Sequence, residues 1–194
     1  MSRYSHEHHV RAHQEPILPL METFFRSQNC RSFEIFPLPL DMEERDAFID
    51  TFCQPDDDYS LYIVSPTDAQ GWTMLWGDYN EQHQDELIAF LSEQLETTAL
   101  YGHNNDQVDN WRWILFQQGE EVASYWYVGR DEDQWVNSPE YPTPPGAMDL
   151  YDAFKAQGRT YHHLNISSAV DLMSQGENAL PIEQFRLVAI KDCP

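Results

Sequence analysis

Four histidines near the start of the chain, His6, His8, His9 and His13, form its densest set of side chains able to ligate a metal. In a helix, His6, His9 and His13 would share one face, and imidazoles spaced i, i+4 can chelate zinc or nickel. The metalloprotease pattern needs Glu directly after the first His of such a pair, and Val10 stands in that place after His9. His-rich tracts of this kind bind metal weakly more often than they catalyse. His6, His9 and His13 are therefore weak metal candidates, and residues 1–15 read as a mobile arm ahead of a single globular domain over 16–194.

Two other histidine sites carry less. His162 and His163 are adjacent, so on a strand they point to opposite faces and cannot easily serve one ion together. His103 stands beside Asn104, Asn105 and Asp106. As a general base it needs an orienting carboxylate and a nucleophile, and spacing identifies neither.

Carboxylates are the second chemical resource. Between Arg45 and Arg112 there is no lysine or arginine, while fourteen acids occur there, and the whole chain has a formal net charge of −22. A small domain stays soluble with a net charge of about 2–8 in magnitude, so the excess suggests steering toward a cationic partner at some cost in self-repulsion. Asp56, Asp57 and Asp58 form the densest run, with Asp85, Glu86, Asp106 and Asp109 in the same acidic region. Asp131 and Asp133 flank Glu132 in a second run, with Trp135 and Tyr141 beside it as interface aromatics. An EF-hand starting at Asp131 is excluded, because its sixth and twelfth positions are Val136 and Pro142 where Gly and Glu are required.

The chain also lacks G-x-G-x-x-G, a P-loop G-K-[ST], G-x-S-x-G and any Cys-x-x-Cys pair. These absences lower the weight of an enzymatic reading, and no cofactor is expected. Nucleic acid and anionic membranes both need a basic face, which is missing. The function expected from sequence is an acidic, cytoplasmic protein-binding module, of the inhibitor or immunity type, that neutralises a basic protein. The alternatives are a salt-adapted domain without such a partner, or a small metal-dependent hydrolase using Asp56 to Asp58 with His103.

The elements that would position these residues are legible in part. With 41% hydrophobic and 13% aromatic residues the chain can bury a core. Cys30, Cys53 and Cys193 are few and scattered, so they read as reduced thiols, and residues 1–15 lack the apolar run of a signal peptide. Phe33, Ile35 and Leu38 suggest a short strand, and Asp41 with Glu44 a capped helix burying Phe48, Ile49 and Phe52. Leu61 to Val64 and Trp72 to Trp76 read as two strands. Leu87, Ile88, Leu91 and Leu95 recur at helical spacing over about 80–95. Ala99 to Gly102 reads as a strand, and Trp111 to Phe116 and Val122 to Val128 as a hairpin turning at Gln117 to Gly119. Both faces of that hairpin are apolar, which favours a buried central pair over an exposed aromatic patch.

The sum is an α+β fold, mainly an antiparallel sheet with a β-β-α-β-β-β core, helices on one face and a C-terminal helical extension. Short helices are expected around Leu150 to Phe154 and Ala169 to Met173, closed by Gly158 and Gly176. Residues 181–190 fit either a strand or a helix.

Overall fold

A computed structural model describes residues 4–52, 59–77, 84–105, 110–128, 148–164 and 166–191. Along the chain run β1 (Tyr4–Val10), α1 (Gln14–Ser27), β2 (Ser32–Pro37), α2 (Met42–Asp50), β3 (Tyr59–Val64) and β4 (Thr73–Gly77). There follow α3 (Gln84–Gln94), β5 (Thr98–Asn105), β6 (Asn110–Gln117), β7 (Glu120–Val128), α4 (Leu150–Ala156), α5 (Ile166–Met173) and β8 (Arg186–Lys191). The strands make one eight-stranded sheet in the order β2-β8-β3-β4-β1-β5-β6-β7, with every pairing antiparallel. The expected α+β class and the β3-β4-α3-β5-β6-β7 core are present.

Three features differ from the sequence reading. Residues 4–10 are not an arm: β1 lies between β4 and β5 in the middle of the sheet. Its side chains are polar on both faces, so hydrophobic alternation, the usual mark of a strand, is silent there. Helices also cover both faces of the sheet rather than one. The even positions of β3, Tyr62 and Val64, pack with Ile17, Phe24 and Phe25 of α1 and Leu87 and Leu91 of α3. The odd positions, Leu61 and Ile63, pack with Ile49 of α2 and Ala169 and Val170 of α5, and α4 covers Leu100 and Trp113 on this second face. Strands apolar on both sides, as β3 and β4 are, require cover on both. Finally, beyond the expected helices α4 and α5, the C-terminal part returns to the sheet, and residues 181–190, which by sequence fit either strand or helix, end in a strand. Residues 182–184 make a single 3-10 turn, and β8 then inserts between β2 and β3.

The β6–β7 hairpin has its two-residue turn at Gln118 and Gly119, whose φ of 53° and 84° suit a type I′ turn. Only half of the buried-pair expectation holds. Trp113, Ile114 and Phe116 on β6 are buried, but β7 is the sheet's edge and exposes Val122 and Trp126.

Cys30 is disulfide-bonded, which corrects the reading of three reduced thiols. It sits where α1 turns into β2, next to Arg31, whose amide donates to the Lys191 carbonyl at 3.0 Å. Cys53 and Cys193 lie outside the described residues. No helix among the described residues is long and apolar enough to cross a membrane.

Candidate functional site

Because β1 alternates, its histidines are divided between two environments. His6 and His8 face α1 and α3. There His8 stacks on Tyr101 with ring centroids 4.9 Å apart and bonds the Gln84 side chain at 2.9 Å. His6 meets the His103 ring edge-on, with centroids 4.5 Å apart. Glu7 and His9 face the other way, toward Trp72 and Phe154, and all four residues are buried.

The Glu7 side is completed by the segment after α4. The amide of Arg159 returns to the Phe154 carbonyl at 2.9 Å, ending the helix and sending the chain back across the sheet. Gly102, opposite Glu7 on β5, permits this close approach: a Cβ there would stand 2.7 Å from Tyr161, 2.8 Å from the Glu7 carbonyl and 2.9 Å from Phe154. The segment delivers His162 directly onto Glu7. Its amide donates to Glu7 Oε2 at 2.9 Å, and its Nδ1 lies 2.7 Å from Oε1. His163 follows with φ of 52°, a left-handed backbone that few side chains adopt freely. Strain of this kind, worth about 1–3 kcal/mol, clusters at functional sites.

Hydrogen-bond polarity fixes the protonation of the site. Arg159 Nε donates to His9 Nδ1 at 2.9 Å, and a guanidinium can only donate. His9 therefore carries its proton on Nε2 and donates it to Glu7 Oε1 at 2.8 Å. Burial alone would raise the Glu7 carboxyl. The hydrogen bonds from His162 and His9 outweigh it and hold the group down at about 2, so Glu7 is ionised. Burial pushes His9 below its ordinary value despite Glu7, with Arg159 and His162 adding to the effect. Asp68 balances Arg159 at 2.7 Å, and the guanidinium lies over the Trp72 ring. The chain of bonds thus runs from Asp68 through Arg159 and His9 to Glu7. His162 donates Nδ1–H from the other side, which leaves its Nε2 as a lone-pair acceptor.

Glu7, His9 and His162 offer three ligand atoms within 4.8 Å of one another, the composition of a two-histidine, one-carboxylate metal site. The donor pattern does not fit an ion. A metal on His9 Nε2 would place the ring proton on Nδ1, facing the Arg159 N–H donor, whereas metal-bound histidines normally donate that proton to an acceptor. The N-to-O separations of 2.7 and 2.8 Å are hydrogen-bond lengths, shorter than the roughly 3.3 Å between ligands of a tetrahedral zinc with bonds of about 2.0–2.1 Å. The cluster is a hydrogen-bonded network, not a cation cage.

His162 lines a cleft of about 520 Å³, bounded by the Asp68 to Gln70 loop, by Arg159 and Thr160, and by Met173 to Leu180. The arrangement is a buried carboxylate orienting a histidine whose second nitrogen is available to a ligand. Such a histidine can accept a proton from water, a hydroxyl or an amine.

The residues singled out from sequence fall differently. His6 and His9 lie on opposite faces of β1 and His13 is exposed just before α1, so the helical chelate is not formed. His103 meets His6 ring to ring. Asp85 opens α3 and takes a hydrogen bond from Arg112 at 3.1 Å, and Glu86 beside it is exposed. Asp56, Asp57, Asp58, Asp106, Asp109, Asp131, Asp133, Trp135 and Tyr141 lie outside the described residues. Sequence reasoning missed Glu7, Arg159 and the role of His162. The Glu-x-His alternation of β1 is the one local signal, and the separation of 155 positions from Glu7 to His162 leaves no spacing to read.

Comparison with known proteins finds no family model, curated protein or solved structure that matches the chain.

Proposed function

We propose that the chain is a proton-transfer enzyme in which His162 acts as general base toward a ligand held in the 520 Å³ cleft. The observation that carries this reading is the Glu7–His162 pair. An ionised, buried carboxylate fixes the imidazole with Nδ1–H inward and stabilises the imidazolium that forms when Nε2 takes a proton, the role such carboxylates play in nucleophile-activating triads. The reaction class this suits best is activation of water or another weak nucleophile for acyl transfer. Hydrolysis of p-nitrophenyl acetate tests it. His162→Gln is expected to lower the rate by about 100-fold, the lower range of general-base contributions. Equal rates for the two proteins would contradict the reading.

A second reading rests on where the positive charge goes. Arg45, Arg112 and Arg159 are paired with Asp171, Asp85 and Asp68, while Glu43, Glu44, Glu86, Glu93, Glu96, Glu120 and Glu121 are exposed. That distribution supports docking to a basic protein, as an inhibitor or immunity protein would dock. Capture of one basic protein from lysate at about 0.15 M salt, lost at about 0.5 M, is the expected result. Capture unaffected by salt would contradict it. For location we propose an oxidising compartment rather than the cytoplasm, since a bonded Cys30 persists where thiols are not kept reduced.

A further inference from the structure

We infer that the ligand of this cleft carries a protonated primary amine on a short apolar arm and donates one of its N–H groups to His162 Nε2. The inference rests on the general-base reading and adds the class of ligand. Charge decides first. Among the described residues lining the cleft, Arg159 is the one cation. It is 7% exposed and its charge is already offset by Asp68 at 2.7 Å, so its pull on an anionic ligand is weakened. Glu7 lies ionised directly behind His162. Glu177 also lines the cleft and is exposed, with no ion pair to any described residue. Three carboxylates thus stand against one guanidinium. A carboxylate or phosphate entering the cleft would meet like charge without a counter-ion, whereas an ammonium would meet two uncompensated anions.

Shape and donor pattern decide next. Met74, Met173 and Leu180 give the cleft an apolar side, where thioethers adapt to a flexible alkyl chain. His162 Nε2 is an acceptor, because Glu7 holds the ring proton on Nδ1. An ammonium has three donors and no acceptor, so it can satisfy Nε2 and a carboxylate together. The same group can come from a free amine or from a lysine side chain of a partner protein.

The imidazole resonances of His162 in the intact protein, followed by NMR, give the test. n-Butylammonium is expected to shift them saturably with a Kd of about 1–10 mM, in keeping with a ligand of few heavy atoms. Butyrate, of similar length and opposite charge, is expected to leave them unmoved. Glu177→Gln, at an exposed position that folding does not depend on, should weaken butylammonium binding about threefold by removing one attractive charge. Nα-acetyl-lysine methylamide binding about tenfold tighter than butylammonium would identify a lysine side chain as the source, and equal binding a free amine. Butyrate binding as well as butylammonium, or no shift by about 50 mM of the amine, an upper limit for so small a ligand, would overturn the inference. The ester-hydrolysis loss in His162→Gln does not depend on that outcome, so the two readings fail separately.

Discussion

Acidification from pH 7 at 0.15 M salt will destabilise the protein steeply below pH 6.5 and unfold it between about pH 5 and pH 4. Burial pushes His8 down from 6.5 to about 4, with Gln84 and Glu7 opposing and His9 and His103 assisting. Burial, His103 and His8 push His6 well below 6.5, and His9 is lowered as well. The unfolded chain therefore takes up protons at these sites from about 6.5 downward while the folded chain does not. Each such histidine costs about 1.36 kcal/mol of stability per pH unit inside that window. His8 alone removes about 3 kcal/mol by pH 4, and His6 and His9 act in the same direction. The folded state of a typical domain is stable by only about 5–15 kcal/mol.

Glu7 adds a lower phase. Its carboxyl is depressed to about 2 from 4.5, so the stability it contributes is complete above 4.5 and is lost as pH falls from 4.5 toward 2. Surface carboxylates oppose these losses, because protonating them relieves the self-repulsion of a chain at −22. That repulsion is screened over about 8 Å at 0.15 M salt, whereas the buried histidines are not screened. Urea midpoints measured from pH 7 to pH 4.5 are expected to fall throughout. A midpoint unchanged across that range would contradict the assignment of neutral, buried histidines.

The second large effect is expected from Glu7→Gln. The carboxylate accepts three hydrogen bonds, from His9 Nε2, His162 Nδ1 and the His162 amide. A carboxamide of the same shape keeps one acceptor oxygen and turns its nitrogen toward a donor, leaving buried N–H groups unsatisfied and removing the charge that steadies an imidazolium. The expected loss of stability is about 2–4 kcal/mol, read as a lowered urea midpoint at pH 7. The variant should also hydrolyse p-nitrophenyl acetate about 100-fold more slowly than the parent. A change under about 0.5 kcal/mol, the range of an unremarkable surface substitution, would show that Glu7 does not hold the network together.

Much of the scaffold was legible because its elements announce themselves locally. Leu87, Ile88 and Leu91 recur at helical spacing and are all fully buried, and the β6–β7 hairpin turns at Gln118 and Gly119 where two short apolar runs meet. β8 was ambiguous because Leu187, Val188, Ala189 and Ile190 are buried on both faces, so alternation could not separate strand from helix. β1 was illegible for the opposite reason. His6, Glu7, His8 and His9 are polar yet buried; His8, His9 and Glu7 pair with Gln84, Arg159 and His162, far away in sequence, while the His6 ring nitrogens have no hydrogen-bond partner among the described residues. The candidate site could not be found by spacing, since its acid and its base sit near opposite ends of the chain.

Glu7 holds His162 with its proton on Nδ1, leaving Nε2 as the acceptor on which the proposed chemistry depends. Long-range nitrogen–proton correlation of the imidazoles at pH 7 reads this directly. The expected result is His162 in the Nδ1–H form and His9 in the Nε2–H form, both unchanged by added zinc. His162 protonated on Nε2, or the loss of both ring protons with one equivalent of zinc, would contradict it.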